Sequence, residues 1–149
     1  MDQEQKAGRK NFHAQWAACL LEGIQENCPE ETRQACLKNC AGLHYKVNGM
    51  DQQLKPFIGD IDSFINYLTD TLGWVIERGS ERIRIDENKD YCVCPIAEAL
   101  GNRVPPALCD CSAHYASMMF SKILGREVKA EVKRSFLRDG RSCIYELEI

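Results

Sequence analysis

Residues 60–86 read DIDSFINYLTDTLGWVIERGSERIRID, and they contain the change of pattern that decides the fold. In the first half, apolar residues recur every three or four positions, as on one face of an α-helix. Asp60 can cap the start of this helix and Gly73 its end. In the second half, Ile83 and Ile85 alternate with arginines, which is typical of a β-strand. The stretch therefore predicts a helix followed by a β-hairpin.

The residues before this stretch predict two more helices. Residues 11–27 carry apolar side chains four positions apart, the stripe of an amphipathic helix: Phe12, Trp16, Leu20 and Ile24. Pro29 and the acids after it are typical of a helix N-terminus, and they predict a second helix over residues 33–45. Residues 1–10 are polar and charged, so we expect a disordered tail and no secretory signal there.

The residues after the hairpin predict further strands and one helix. Residues 91–94 are expected to form a short third strand that ends at Pro95, and residues 96–108 an irregular segment. A helix capped by Asp110 or Ser112 follows and ends at Gly125. Alternating residues on both sides of the 139–140 Asp-Gly turn then predict a terminal hairpin over 128–149.

These elements predict one α+β domain over residues 1–149. Its helical half is 11–73, and its sheet half, with one helix, is 74–149. We expect the N-terminal helices to pack on an antiparallel sheet of about five strands, with one helix inserted before the C-terminal hairpin.

Composition narrows the class of protein. Of the 149 residues, 44% are hydrophobic and 28% charged, which is typical of a soluble globular chain without membrane spans. The net charge of -3 gives no general attraction to nucleic acid or anionic lipid, so we expect neither partner. Because residues 1–10 carry no secretory signal, we expect a cytoplasmic location. Nine cysteines are unusually many, and in a reducing compartment clustered thiols suggest metal ligands or reactive groups before disulfides.

Two C-x-C pairs form the first candidate site, Cys92 with Cys94 and Cys109 with Cys111. Residues two apart on a strand point the same way, so the first pair can face one ion, and the second pair lies where a helix begins. Four thiolates would suit zinc, or less readily an iron-sulfur cluster. The alternative is that these cysteines are small buried hydrophobes that do not meet.

The second pair could also be reactive. A helix start favours thiolate over thiol, which would make Cys109 or Cys111 a candidate nucleophile. His114 lies one turn beyond Cys111 and could move protons for it. A surface histidine near a helix start is the alternative for His114.

Two further groups of side chains follow helical spacing. Cys36, Cys40 and His44 are four apart on the second helix and could replace ligands of the first site, or they could be a packing stripe. Tyr115, Met118 and Met119 are candidates for lining a ligand pocket, although paired methionines often fill a core. Cys19, Cys28 and Cys143 are expected to be structural.

The C-terminal two fifths of the chain resemble a bacterial superfamily. The residues that carry the resemblance are the Cys-Pro of 94–95, LCDCS at 108–112, GREV at 125–128 and SFLRDGRSCIY at 135–145. This pattern is similar to the superfamily of vinyl-reductase-like small-molecule-binding domains and L-2-amino-thiazoline-4-carboxylic acid hydrolases. The resemblance implies an α+β domain that encloses a pocket for a small ligand, sometimes with cysteine-bound zinc and often as a homodimer. The doubled C-x-C pairs and the order of Asp139 and Gly140 depart from the family pattern.

We therefore expect an intracellular domain that binds a small molecule and whose cysteines hold zinc or act as reactive thiols. One alternative is a cysteine- or metal-dependent hydrolase of a cyclic amidine or thiazoline, in which Cys109, Cys111 and His114 are catalytic. The other is a thiol redox sensor.

Overall fold

The computed structural model describes the backbone of residues 3–101 and 104–149, and the side chains from residue 12 within those ranges. Two long helices begin the chain, α1 over Gln3–Asn27 and α2 over Glu30–Val47. Residues 3–10 are thus helical, although the sequence predicts a disordered tail over 1–10. A short helix α3, Met50–Gln53, and a 3-10 turn, Lys55–Phe57, lead into α4, Ile61–Leu72.

The cap residues predicted for α4 take the expected roles. The Asp60 carboxylate accepts a hydrogen bond from the Ser63 backbone amide at 3.0 Å, which satisfies one free amide of the first turn. Gly73 ends the helix with a φ of 71°, in the left-handed region that favours glycine. Ile61, Phe64 and Leu68 are buried. The predicted helical stripe therefore faces the core.

Four antiparallel strands form one sheet in the order β1-β2-β4-β3. They are β1 Val75–Arg78, β2 Arg82–Asp86, β3 Lys129–Arg134 and β4 Ile144–Glu148. Ile83 pairs with Leu147 and Ile85 with Tyr145, and all four side chains are buried on the sheet face that the helices cover. The α+β class and the antiparallel sheet are confirmed.

The sheet has four strands and not about five, because residues 91–94 do not form a strand. Both edges of the preceding strand β2 are already paired, with β1 and β4. Cys94 instead precedes a short helix, α5 over Pro95–Ala99, with proline in the first turn, where its missing amide costs nothing. The predicted irregular segment 96–108 also includes a 3-10 turn over Pro106–Leu108.

The helix α6, Cys109–Leu124, precedes the C-terminal strand pair as predicted, and its buried face lies against α2, α4 and β3. Phe120 is fully buried on it. The connection between β3 and β4 differs from the expected two-residue turn. It contains a one-turn helix, α7 over Phe136–Asp139, which Ser135 caps by accepting a hydrogen bond from the Arg138 amide.

The apolar stripe on α1 is not part of the core. Phe12 and Trp16 are each 60% exposed and Leu20 is 50% exposed, so the predicted amphipathic face lies toward solvent. No helix of the described residues is long and apolar enough to span a bilayer.

Candidate functional site

A cavity of about 410 Å³ lies among α2, α4, α6 and the sheet. This volume is within the usual range for small-molecule sites. The lining is dominated by apolar and aromatic side chains, among them Phe57, Phe64, Tyr67, Leu68, Trp74, Tyr115, Ala116 and Met119. Because α4 and α6 supply so many of them, the same helix faces that build the core also shape the cavity.

Glu87 and Tyr145 form a buried polar pair on the cavity wall. Glu87 is only 6% exposed, and the Tyr145 hydroxyl donates a hydrogen bond to its Oε1 at 3.0 Å. Burial raises the pKa of the Glu87 carboxyl, although its hydrogen bonds from Tyr145 and Cys143 favour the charged form. Burial and the nearby Glu87 raise the pKa of Tyr145 as well. A perturbed acid in an apolar cavity is a candidate functional group.

The raised pKa of Glu87 gives a testable pH dependence. A carboxyl whose pKa is higher in the folded state contributes stability at low pH, and that contribution is lost as pH rises through the folded pKa. We therefore expect Glu87→Gln to raise the free energy of unfolding relative to the native chain, with a gain that grows as the pH rises from about 4 through the raised pKa of Glu87 and is then constant. Urea unfolding across this range measures the difference.

Glu77→Gln is the matched control, since Glu77 is an exposed acid on β1 outside the cavity. A Glu87→Gln effect that is flat with pH, or equal to that of Glu77→Gln, would contradict the assignment of Glu87 as a carboxyl destabilised by burial.

The cysteines of the first candidate site are partly brought together. Cys92, Cys94 and Cys109 line a second, smaller cavity of about 20 Å³, next to Glu87. Cys143, which the sequence predicts to be structural, lines it too, whereas Cys111 lies on the wall of the larger cavity. Cys94 lines both cavities.

The described residues do not include a group of three or more His, Cys, Asp or Glu side chains arranged to hold a metal ion. Two of the thiols have local hydrogen-bond partners instead, Cys109 with the Ser135 hydroxyl and Cys143 with the Phe136 amide. Zinc and an iron-sulfur cluster therefore stay predictions from the sequence.

The stripe on α2 does not complete the cysteine site. Cys36 is half-buried and Cys40 exposed, and neither lines either cavity. His44 does line the larger cavity, with its ring 4.9 Å from the Tyr115 ring. Of the three, only His44 thus belongs to the candidate site.

The catalytic group predicted for the hydrolase alternative is not assembled around one cavity. His114 Nε2 lies 2.7 Å from Gln34 Oε1 on α2 and does not line either cavity. Burial lowers the pKa of His114, which favours the neutral ring. Burial also raises the pKa of Cys109 and brings that of Cys111 to about 12. Burial is the largest cause for both thiols, so each pKa is raised and not lowered as the helix start predicts.

The exposure and the pKa of the cysteine thiols predict which of them react with a maleimide. We expect a maleimide at neutral pH to label the exposed Cys19 and Cys40 quickly, because their sulfurs are accessible. Cys109, Cys111 and Cys143 should label slowly, because burial raises each pKa and limits access. Mass spectrometry of peptides over time measures the rates, and fast labelling of Cys109 or Cys111 would instead support the reactive-thiol alternative.

Among the pocket residues predicted from sequence, Tyr115 and Met119 line the cavity. Met118 does not, because it lies on the side of α6 that packs against α2, where its methyl carbon is 3.7 Å from the position a Gly42 Cβ would occupy. Sequence reasoning missed Trp74 and Glu87. The wall position of Glu87 depends on the return of β4 beside β2, which no local pattern reveals.

Comparisons with known proteins bear on the fold. No family model matches the chain, and no curated protein matches it. A solved structure of similar fold is the trafficking protein particle complex subunit 3 from Naegleria fowleri, described as covalently bound to palmitic acid. It is 10% identical, with 94% of each chain covered and a TM-score of 0.50. The resemblance to the vinyl-reductase-like and thiazoline hydrolase superfamily stays a prediction, and this chain is similar to the trafficking subunit in fold alone.

Proposed function

We propose that this protein binds a small, mainly apolar molecule in the 410 Å³ cavity. The observation that carries the proposal is a preformed cavity whose wall is largely aromatic and aliphatic, with one buried carboxyl–hydroxyl pair. Removing an apolar ligand from water is favourable in proportion to the area it buries, and a few fixed polar groups can orient it.

An aliphatic chain is the first ligand to test. The trafficking subunit of similar fold is described as covalently bound to palmitic acid, a long aliphatic acid. At 10% identity this does not specify the ligand of the present chain. The choice of an aliphatic chain is supported by the cavity wall, because Leu68, Phe64 and Met119 offer the contacts that methylene groups require.

The hydrolase and the redox sensor have less support than binding. The redox sensor and the cysteine-dependent form of the hydrolase need an accessible thiolate, whereas burial raises the pKa of Cys109 and Cys111 and favours the thiol form. For binding, the thiols on the wall serve as small apolar surfaces. The proposal includes the expected cytoplasmic location and a homodimer.

Isothermal titration calorimetry with decanol tests the proposal. Decanol is uncharged, so its binding depends on the apolar wall and little on ionic contacts. We expect saturation with one molecule per chain and a negative heat-capacity change, the mark of apolar burial. Failure of decanol to saturate a folded sample would overturn the proposal.

A further inference from the structure

The described side chains that line the cavity include an acid, Glu87, but no lysine or arginine. A histidine, His44, also lines the wall. An anionic ligand would therefore find no permanent cation on the wall to offset the loss of its hydration.

Among the residues that the structure describes, no lysine or arginine forms a salt bridge with Glu87. Lys89 is the nearby cation that influences it, but the Lys89 Nζ donates to the Leu72 carbonyl oxygen at 2.8 Å. The Glu87 carboxyl is held by the neutral Tyr145 hydroxyl and Cys143 thiol. A buried carboxylate that is not ion-paired is costly, and a ligand that places a positive charge beside it would relieve that cost.

Aromatic rings complete the environment. Tyr67, Trp74 and Tyr115 line the same cavity as Glu87. Organic cations are attracted to aromatic faces by the ring quadrupole, most strongly where water is excluded. A carboxyl together with aromatic rings on one apolar wall is suited to an ammonium group that carries an apolar body.

We propose that the cavity selects a cationic amphiphile, an ammonium group on an apolar body, over a neutral or anionic ligand of the same chain length. The inference rests on the proposed function, because it assigns the charge of the ligand in the same cavity. The ammonium group lies toward Glu87, and the apolar body lies along α4 and α6.

Three probes of equal chain length test the charge preference: decyltrimethylammonium, decanol and decanoate. The first keeps its charge at every pH, so its own titration cannot alter the result. Competition calorimetry below the micelle concentration gives their relative dissociation constants. We expect the cation to bind at least about tenfold more tightly than decanoate.

Glu87→Gln should remove most of that preference while decanol affinity changes less than about threefold, since glutamine keeps an oxygen to accept from Tyr145. Glu77→Gln makes the same change of net charge outside the cavity and should keep the preference.

The outcomes separate the two proposals. If decanol binds but decanoate binds as tightly as the cation, the charge inference is overturned and the binding function stands. A cation preference that survives Glu87→Gln also overturns it, because the selectivity then comes from elsewhere. If decanol does not bind the folded protein, the proposed function itself fails.

Discussion

Phe120→Ala is expected to lower the free energy of unfolding by about 3–5 kcal/mol, the usual cost of removing a buried phenylalanine ring. Phe120 is fully buried on α6, and its ring packs edge-on against the Phe64 ring of α4, with 5.3 Å between the ring centroids. Such pairs add to the stabilisation that burial alone provides. Urea unfolding followed by circular dichroism measures the loss, which is a large share of the stability of an ordinary domain.

Phe12→Ala is the matched control because it deletes the same ring from the exposed face of α1. Phe12 is 60% exposed, so we expect a loss within about 0.5–1 kcal/mol. Equal losses for the two variants would mean that the α1 face is buried in solution and that the packing around α6 is misassigned.

Ala116→Phe is expected to weaken decanol binding at least about tenfold by filling the cavity. Ala116 is a buried residue of α6 on the cavity wall, so a larger side chain there occupies space that the ligand requires. The empty volume beside it limits the overpacking that a new ring causes in a filled core. Calorimetric titration of the folded variant measures the affinity, after its unfolding midpoint has been compared with that of the native chain.

The control is Ala99→Phe, at an exposed alanine at the end of α5 that does not line this cavity. It should leave decanol affinity unchanged. Full decanol affinity in a folded Ala116→Phe protein would place the ligand outside the cavity and remove the basis of the proposed function.

The helix α4 and strand β2 could be predicted because their local patterns agree with their long-range packing. Ile83 and Ile85 alternate with arginines, and both isoleucines are fully buried against the returning strand β4. Phe64 and Leu68 likewise lie on the face that the period of α4 indicates. Where a helix or strand buries one side only, the spacing of its apolar residues is sufficient to identify both the element and its buried face.

Prediction from the sequence was wrong where burial or strand pairing depends on which other elements pack against a segment. Trp16 and Leu20 have the spacing of a buried stripe, yet nothing in the described part of the chain covers them. For the 91–94 segment, alternation suggests a strand, but the sheet offers no edge beside β2. A local pattern cannot report whether the partner surface exists.

In the candidate site, too, some features could be predicted from the sequence and others could not. Met119 and Tyr115 could be proposed from their place on a helix, and both line the cavity. The direction of the Cys111 pKa could not be predicted from the start of α6 alone, because it is raised chiefly by burial, which depends on the neighbouring elements. Glu87 gave no signal, since an acid in a turn is ordinarily exposed.

The most direct test of ligand binding in the cavity is the fluorescence of Trp74 during titration with decanol. The chain has two tryptophans, and Trp16→Phe leaves Trp74, on the cavity wall, as the single reporter. We predict a saturable change in emission at the dissociation constant found by calorimetry, and its loss when Ala116→Phe is added. Calorimetric binding with an unchanged Trp74 signal would contradict the proposed site, because the ligand would then bind away from this cavity.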